Sequence, residues 1–116
     1  MSKPVGPYTP IIRSGNLLFS SGQIGIDDGT VADGLEAQLR QVFVNLRNVL
    51  ASEGASLSNV IKTTVFLVDM DDYAVMNTIY MEEFGDTRPT RSAVAVAALP
   101  LGALVEIEAI AAVGDA

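Results

Sequence analysis

Two glutamates interrupt an otherwise apolar segment. In Leu104-Val105-Glu106-Ile107-Glu108-Ala109-Ile110 they stand two residues apart, so on a strand both side chains leave the same face. A carboxylate among apolar neighbours is costly unless it is paired or hydrogen-bonded. Either the two sit at a solvated edge or in a structural ion pair, or one of them lines a pocket and acts on water or substrate. Arg91 is the natural counterpart. It opens a strand whose next seven residues, Ser92 to Ala98, carry no charge. Its planar fork suits bidentate recognition of a carboxylate. Spacing alone leaves a pairing with Glu106 or Glu108 across a hairpin as open as a functional role.

Composition narrows the chemistry. The 116-residue chain has no His, no Cys and no Trp. A Ser-His or Cys-His couple, a thiolate or imidazole zinc site and a disulfide framework are therefore excluded. Acid-base work falls to carboxylates, Tyr, Lys3, Lys62, backbone groups or water. The formal net charge of -7 weighs against nucleic-acid binding, which depends on neutralising phosphates with Lys and Arg. A local basic pocket for a small anion remains compatible with it. Asp69, Asp71 and Asp72 read as helix-start residues rather than metal ligands, and no cofactor is expected. Met70, Met76 and Met81 read as packing. Tyr8, in Gly6-Pro7-Tyr8, lies outside any periodic element. Ser20-Ser21-Gly22-Gln23 ends a strand with small residues, at a bulge or a close approach of backbone to ligand. On its own, Asn77 reads as a surface or capping residue.

The elements that must position these residues fit one domain, 1–116. Ile11 to Arg13 and Asn16 to Gln23 read as strands around Ser14-Gly15, and Gly25 to Gly34 as a loop. Leu35, Leu39, Val42, Phe43, Leu46, Val49 and Leu50 follow helical spacing, with Arg40, Asn45 and Arg47 off the stripe. Asp33 is the candidate N-cap of this helix, and Gly54 sits where a left-handed C-terminal residue belongs. Val60 to Leu67 reads as a strand. A second helix, about Met70 to Phe84, is capped by Asp69 and stopped by Gly85. Thr90 to Ala98 and Ala103 to Val113 are apolar strands, joined as a hairpin by Leu99-Pro100-Leu101-Gly102. The order ββ-α-β-α-ββ implies an α+β sheet with both helices on one face. The last two strands are apolar on both faces, so a partner subunit is expected to cover the other side. No apolar run approaches the roughly 18 residues of a membrane span. Met1 to Pro7 lacks the apolar region of a signal peptide, so a cytoplasmic location is the default.

Taken in order, these residues resemble the RidA family, also called YjgF/YER/UK or L-PSP. The strongest match is Arg88-Pro89-Thr90-Arg91-Ser92-Ala93-Val94, then Leu99-Pro100, then Val105-Glu106-Ile107-Glu108-Ala109-Ile110-Ala111. Gly6-Pro7-Tyr8, Ser21-Gly22-Gln23-Ile24, the Gln38 to Leu46 helix and Lys62-Thr63-Thr64-Val65-Phe66-Leu67 fall in family order. The resemblance implies a chorismate-mutase-like α+β fold and a homotrimer with ligand sites between subunits. It also implies hydrolysis of reactive 2-imino and enamine acids, such as 2-aminoacrylate or 2-iminobutanoate, to 2-keto acids and ammonia. Arg91 then matches the arginine that grips the substrate carboxylate, and Glu106 the glutamate that positions or activates water. Tyr8 matches the tyrosine that closes the pocket, Ser21, Gly22 and Ala93 its walls, and Asn77 an Asn near the site. Many relatives carry Cys where this chain has Ala93 and Pro where it has Gly25, and the Asp27 to Gly34 loop looks short. A carboxylate-binding regulatory trimer with little turnover is the alternative. An endoribonuclease or translation inhibitor is the weaker one.

Overall fold

Alternation of apolar and polar side chains sets the strands, and the computed structural model describes residues 6–114. Lys3 and the rest of Met1 to Val5, read above as lacking a signal peptide, lie outside them. In chain order the strands and helices are β1 (Ile11–Ser14), β2 (Leu17–Ser20), β3 (Gln23–Ile24), β4 (Ile26–Asp27), β5 (Thr30–Val31), α1 (Leu35–Ala51), β6 (Val60–Leu67), α2 (Tyr73–Phe84), β7 (Thr90–Ala95) and β8 (Val105–Ala112). The mixed α+β class holds. Asn16 to Gln23 is not one strand: it breaks at Ser21-Gly22 into β2 and β3, both paired antiparallel with β8. The segment read as a loop contains the small β4–β5 ribbon. Its turn residues, Asp28 and Gly29, both have positive φ, the backbone a two-residue hairpin turn requires.

The main sheet runs β1-β2-β8-β6-β7, with β3 following β2 along β8. The expected hairpin between the last two strands does not form. The β6-α2-β7 crossover lays β7 parallel to one edge of β6, and β8 takes the other edge antiparallel. One strand therefore separates β7 from β8. The connection passes through a 3-10 turn at Pro100–Gly102.

Each strand divides its side chains between two faces. Thr63, Val65 and Leu67 of β6 and Val105, Ile107, Ala109 and Ala111 of β8 are buried under the helices. α1 contributes Leu39, Val42, Phe43, Leu46 and Leu50, and α2 contributes Met76, Tyr80 and Phe84. Phe43 meets Phe84 edge-on with ring centroids 5.4 Å apart. Glu83 bridges the helices outside this core, 2.8 Å from both Arg40 and Arg47. On the other face Ile12, Phe19 and Val94 are exposed, each more than 40% accessible, and among the described residues no helix covers them. Met76 packs as expected, but Met70 and Met81 are exposed.

Local signals were partly displaced. Asp33 does not cap α1; Gly34 occupies the N-cap without a side-chain bond. Asn45, off the apolar stripe, is buried and donates to Ile24 O at 3.0 Å and Ile26 O at 2.8 Å. Gln38 is buried too, and its Oε1 accepts Leu104 N at 2.8 Å. Gly54 and Gly85 adopt the positive φ their positions suggested. Asp69 accepts Asp71 N, capping a 3-10 turn at Met70–Asp72 that leads into α2. Among the described residues no helix is long and apolar enough to cross a membrane.

Leu46 is fully buried, whereas Val44 on the same helix faces solvent. Leu46→Ala is expected to cost about 2–5 kcal/mol. Val44→Ala should stay within about 0.5 kcal/mol. Urea unfolding of both variants checks the orientation of α1; equal losses would contradict it.

Candidate active site

The break between β2 and β3 builds one half of the site. Phe19 pairs with Ile110 and Gln23 with Ile107, so Ser20, Ser21 and Gly22 span only Glu108 and Ala109. This is a bulge, with extra backbone on one strand of the pair. Ser20 Oγ accepts Ala109 N at 3.0 Å. Ser21 N donates to Pro10 O at 2.8 Å and its Oγ to Thr9 O at 2.6 Å. These bonds hold the Tyr8-Thr9-Pro10 arm against the bulge. A cavity of about 360 Å³ results, lined by Tyr8, Ser21, Gly22, Ile24, Pro100, Glu106 and Glu108. Asn45 holds its Ile24 wall from behind, and Gln38 ties down Leu104 just after the Pro100 turn.

Glu106 lines this cavity. Burial pushes its carboxyl above the ordinary carboxylate range, and the like charge of Glu108 adds to the rise. Among the described residues no hydrogen bond or ion pair offsets this. A Cβ on Gly22 would overlap the Glu106 carboxylate, so glycine is what allows the carboxylate to lie against the bulge.

The second half lies across the sheet. Arg91 pairs in register with Thr63 on the helix face. It does not meet Glu106 or Glu108. Its Nη1 donates to Asn77 Oδ1 at 2.8 Å and its Nη2 to Tyr73 Oη at 3.0 Å. The guanidinium carbon sits 4.9 Å from the Tyr80 ring centroid and 5.5 Å from that of Tyr73. Tyr80 and Thr63 share a 2.7 Å hydrogen bond beneath it. Burial raises the Tyr80 hydroxyl's pKa, while the bond to Thr63 and the charges of Arg91 and Arg88 oppose the rise. Asn77 is thus a partner of Arg91 and not a surface or capping residue.

The residues singled out from sequence therefore form two groups. Tyr8, Ser21, Gly22 and Glu106 share the cavity. Arg91 and Asn77 stand together on the opposite face of the sheet, and Ala93, one pleat beyond Arg91, packs against the core. Tyr73 and Tyr80 were not anticipated. Tyr73, Met76, Asn77 and Tyr80 fall at i, i+3, i+4 and i+7, one stripe of α2, and that spacing is the signal that could have found them. Among the described residues no cluster of three or more acidic, His or Cys side chains is arranged to hold a metal ion.

Residues 1–113 match the family model described as Endoribonuclease L-PSP. A RutC family protein of Pyrococcus horikoshii is 50% identical over 112 residues, covering 94% of this chain and 89% of that protein. The 2-iminobutanoate/2-iminopropanoate deaminase of Mus musculus is 41% identical over 113 residues, covering 95% and 84%. The crystal structure of RidA from an Antarctic Psychrobacter superposes with a TM-score of 0.93 at 39% identity, covering 96% of this chain and 92% of that one.

The Glu106 carboxyl should titrate above the ordinary carboxylate range, for which the reference is about 4.3. Glu108→Gln removes one of the two causes and should move the midpoint down. Carboxyl-carbon NMR titration of Glu106 measures both; an unchanged or raised midpoint in the variant would contradict the assignment.

Proposed function

The chain belongs to the endoribonuclease L-PSP (RidA) family, and on that premise we propose that it hydrolyses reactive 2-imino and enamine acids to 2-keto acids and ammonia. 2-Iminobutanoate and 2-iminopropanoate, named in the mouse relative, are the proposed substrates. The observation that carries the reading is the state of Arg91. Its charge is held by Asn77, Tyr73 and two aromatic rings, and no ion pair neutralises it among the described residues. Nη1 donates to Asn77 Oδ1 and, at 3.8 Å, to Met76 Sδ, and Nη2 to Tyr73; of the five N–H donors, Nε–H and one Nη2–H remain as a fork for a carboxylate.

Arg91 and Glu106 leave opposite faces of one sheet, so no single chain closes both around a small acid. We infer that the Arg91 group of one subunit meets the Glu106 cavity of the next in a homotrimer. The uncovered apolar face with Ile12, Phe19 and Val94 supports such an assembly. Arg91 then grips the substrate carboxylate, and Tyr8, Ser21 and Gly22 enclose the rest. An enamine first tautomerises to the imine. Water attacks C2 of the protonated imine as Glu106 takes its proton, giving a carbinolamine. Glu106 returns that proton to nitrogen, the C2–N bond breaks, and ammonia leaves. The new C2 hydroxyl loses its proton, so the balance is iminium plus water to ketone plus ammonium. A carboxylate pKa above the usual range brings Glu106 closer to the pH at which proton transfer in both directions is efficient. The two acidic side chains in the cavity wall repel phosphate, which counts against ribonuclease chemistry here.

Ammonia release from imines generated in situ tests the proposal. Arg91→Ala should abolish the acceleration, and Arg91→Lys should lower kcat/KM because a point charge lacks the planar fork. Glu106→Gln should lower kcat by about 10²–10⁴-fold, the share of a general base. Gly22→Ala should lower kcat without lowering the melting temperature, because the flexible Glu106 side chain yields rather than the backbone. A wild-type rate no faster than buffer, or an Arg91→Ala rate equal to wild type, sinks the proposal.

A further inference from the structure

Tyr73 opens α2 and is partly open to solvent, with 38% of its surface accessible. Its hydroxyl accepts a hydrogen bond from Arg91 Nη2 at 3.0 Å. A phenol carries one proton besides its lone pairs, and a guanidinium only donates. The Tyr73 proton therefore has to be directed at a different acceptor, and none of the described residues supplies one. Tyr80 differs: it is buried and its hydroxyl bonds to Thr63 Oγ1. Of the two rings that hold Arg91, only Tyr73 combines a solvent-accessible side chain with a hydroxyl uncommitted as a donor.

An N–H of Arg91 and the O–H of Tyr73 thus originate at two atoms 3.0 Å apart. A carboxylate on the Arg91 fork presents two acceptor oxygens to such a pair. We propose that Tyr73 is a substrate-binding residue whose hydroxyl donates a hydrogen bond to the 2-imino acid carboxylate gripped by Arg91. The inference rests on the deaminase reading and deepens it. It adds a neutral donor to the carboxylate subsite, on the half of the site supplied by α2 and β7.

The carboxylate is not the reacting centre, so its contacts are equal in the ground and transition states. Losing one raises KM and leaves kcat unchanged. Tyr73→Phe removes the hydroxyl and the bond it accepts from Nη2, while the ring, Asn77 and Tyr80 still hold Arg91. The variant is assayed on 2-iminobutanoate generated in situ, titrated calorimetrically with 2-oxobutanoate, and melted. KM and the 2-oxobutanoate Kd should each rise about tenfold, the scale of one hydrogen bond to a charged group in a partly exposed site. The kcat and the melting temperature should match wild type. A KM and Kd equal to wild type overturn the inference. So does a loss of kcat, or a lowered melting temperature, in place of the rise in KM. If wild-type protein neither turns over the imine nor binds 2-oxobutanoate, the deaminase reading falls and this inference with it. If wild type does both and Tyr73→Phe does them equally well, this inference alone falls.

Discussion

Side chains on a strand leave alternate faces, and that constraint governs the molecule. β6 lends one edge to β7 and the other to β8. Arg91 shares the helix face with Thr63, and Glu106 shares the opposite face with Phe66. A single chain therefore displays its cation and its half-buried carboxylate on opposite sides of one sheet. Among the described residues neither is neutralised by an ion pair, and each is left with binding capacity. The proposed assembly, in which the faces of different subunits come together, would resolve both features and cover Ile12, Phe19 and Val94. The same face division explains why Arg91 did not settle against Glu106 or Glu108, the pairing that spacing alone left open.

The helices hold the site in shape through polar as well as apolar contacts. Leu39, Phe43 and Leu46 supply the buried area, but Gln38 and Asn45 decide where the neighbouring backbone runs. Each buried amide is hydrogen-bonded, and among the described residues no buried side-chain polar atom lacks a partner. A buried polar group fixes one arrangement, because losing its partner leaves it desolvated. Here that arrangement sets β3 and the start of β8, which flank the cavity. On α2, one stripe serves both roles: Met76 and Tyr80 enter the core while Tyr73 and Asn77 hold Arg91.

Element types and residue chemistry were largely legible in the sequence. The α1 stripe, the β6 strand and the Gly85 stop rest on local periodicity and residue type; Arg91, Glu106 and Glu108 stood out as charges in apolar strands, and the choice of Arg91 with Glu106 came from the family resemblance. The strand neighbours were not legible in the same way. Leu99-Pro100-Leu101-Gly102 looks like a hairpin link, yet edge-to-edge pairing is decided by the β6-α2-β7 crossover, a long-range contact. The bulge at Ser21-Gly22 was readable only as a possibility, because small residues permit it without requiring it. Asn45 reads as polar and therefore outward; its two backbone partners exist only after β3 and β4 are in place. Asp33 gave way to Gly34 for the same reason: the chain arriving from β5 sets the backbone at the helix start, and cap propensity is a weak preference beside it.

In the proposed assembly Arg91 of one subunit works with Glu106 of another. Mixing two inactive variants, Arg91→Ala and Glu106→Gln, under conditions where subunits exchange tests it most directly. In a ring, a random mixture unites an intact Arg91 with an intact Glu106 at roughly a quarter of the sites. Ammonia release should return to about that fraction of the wild-type rate. Mixed assemblies that form, as seen by mass spectrometry, and remain as inactive as the separate variants would contradict it.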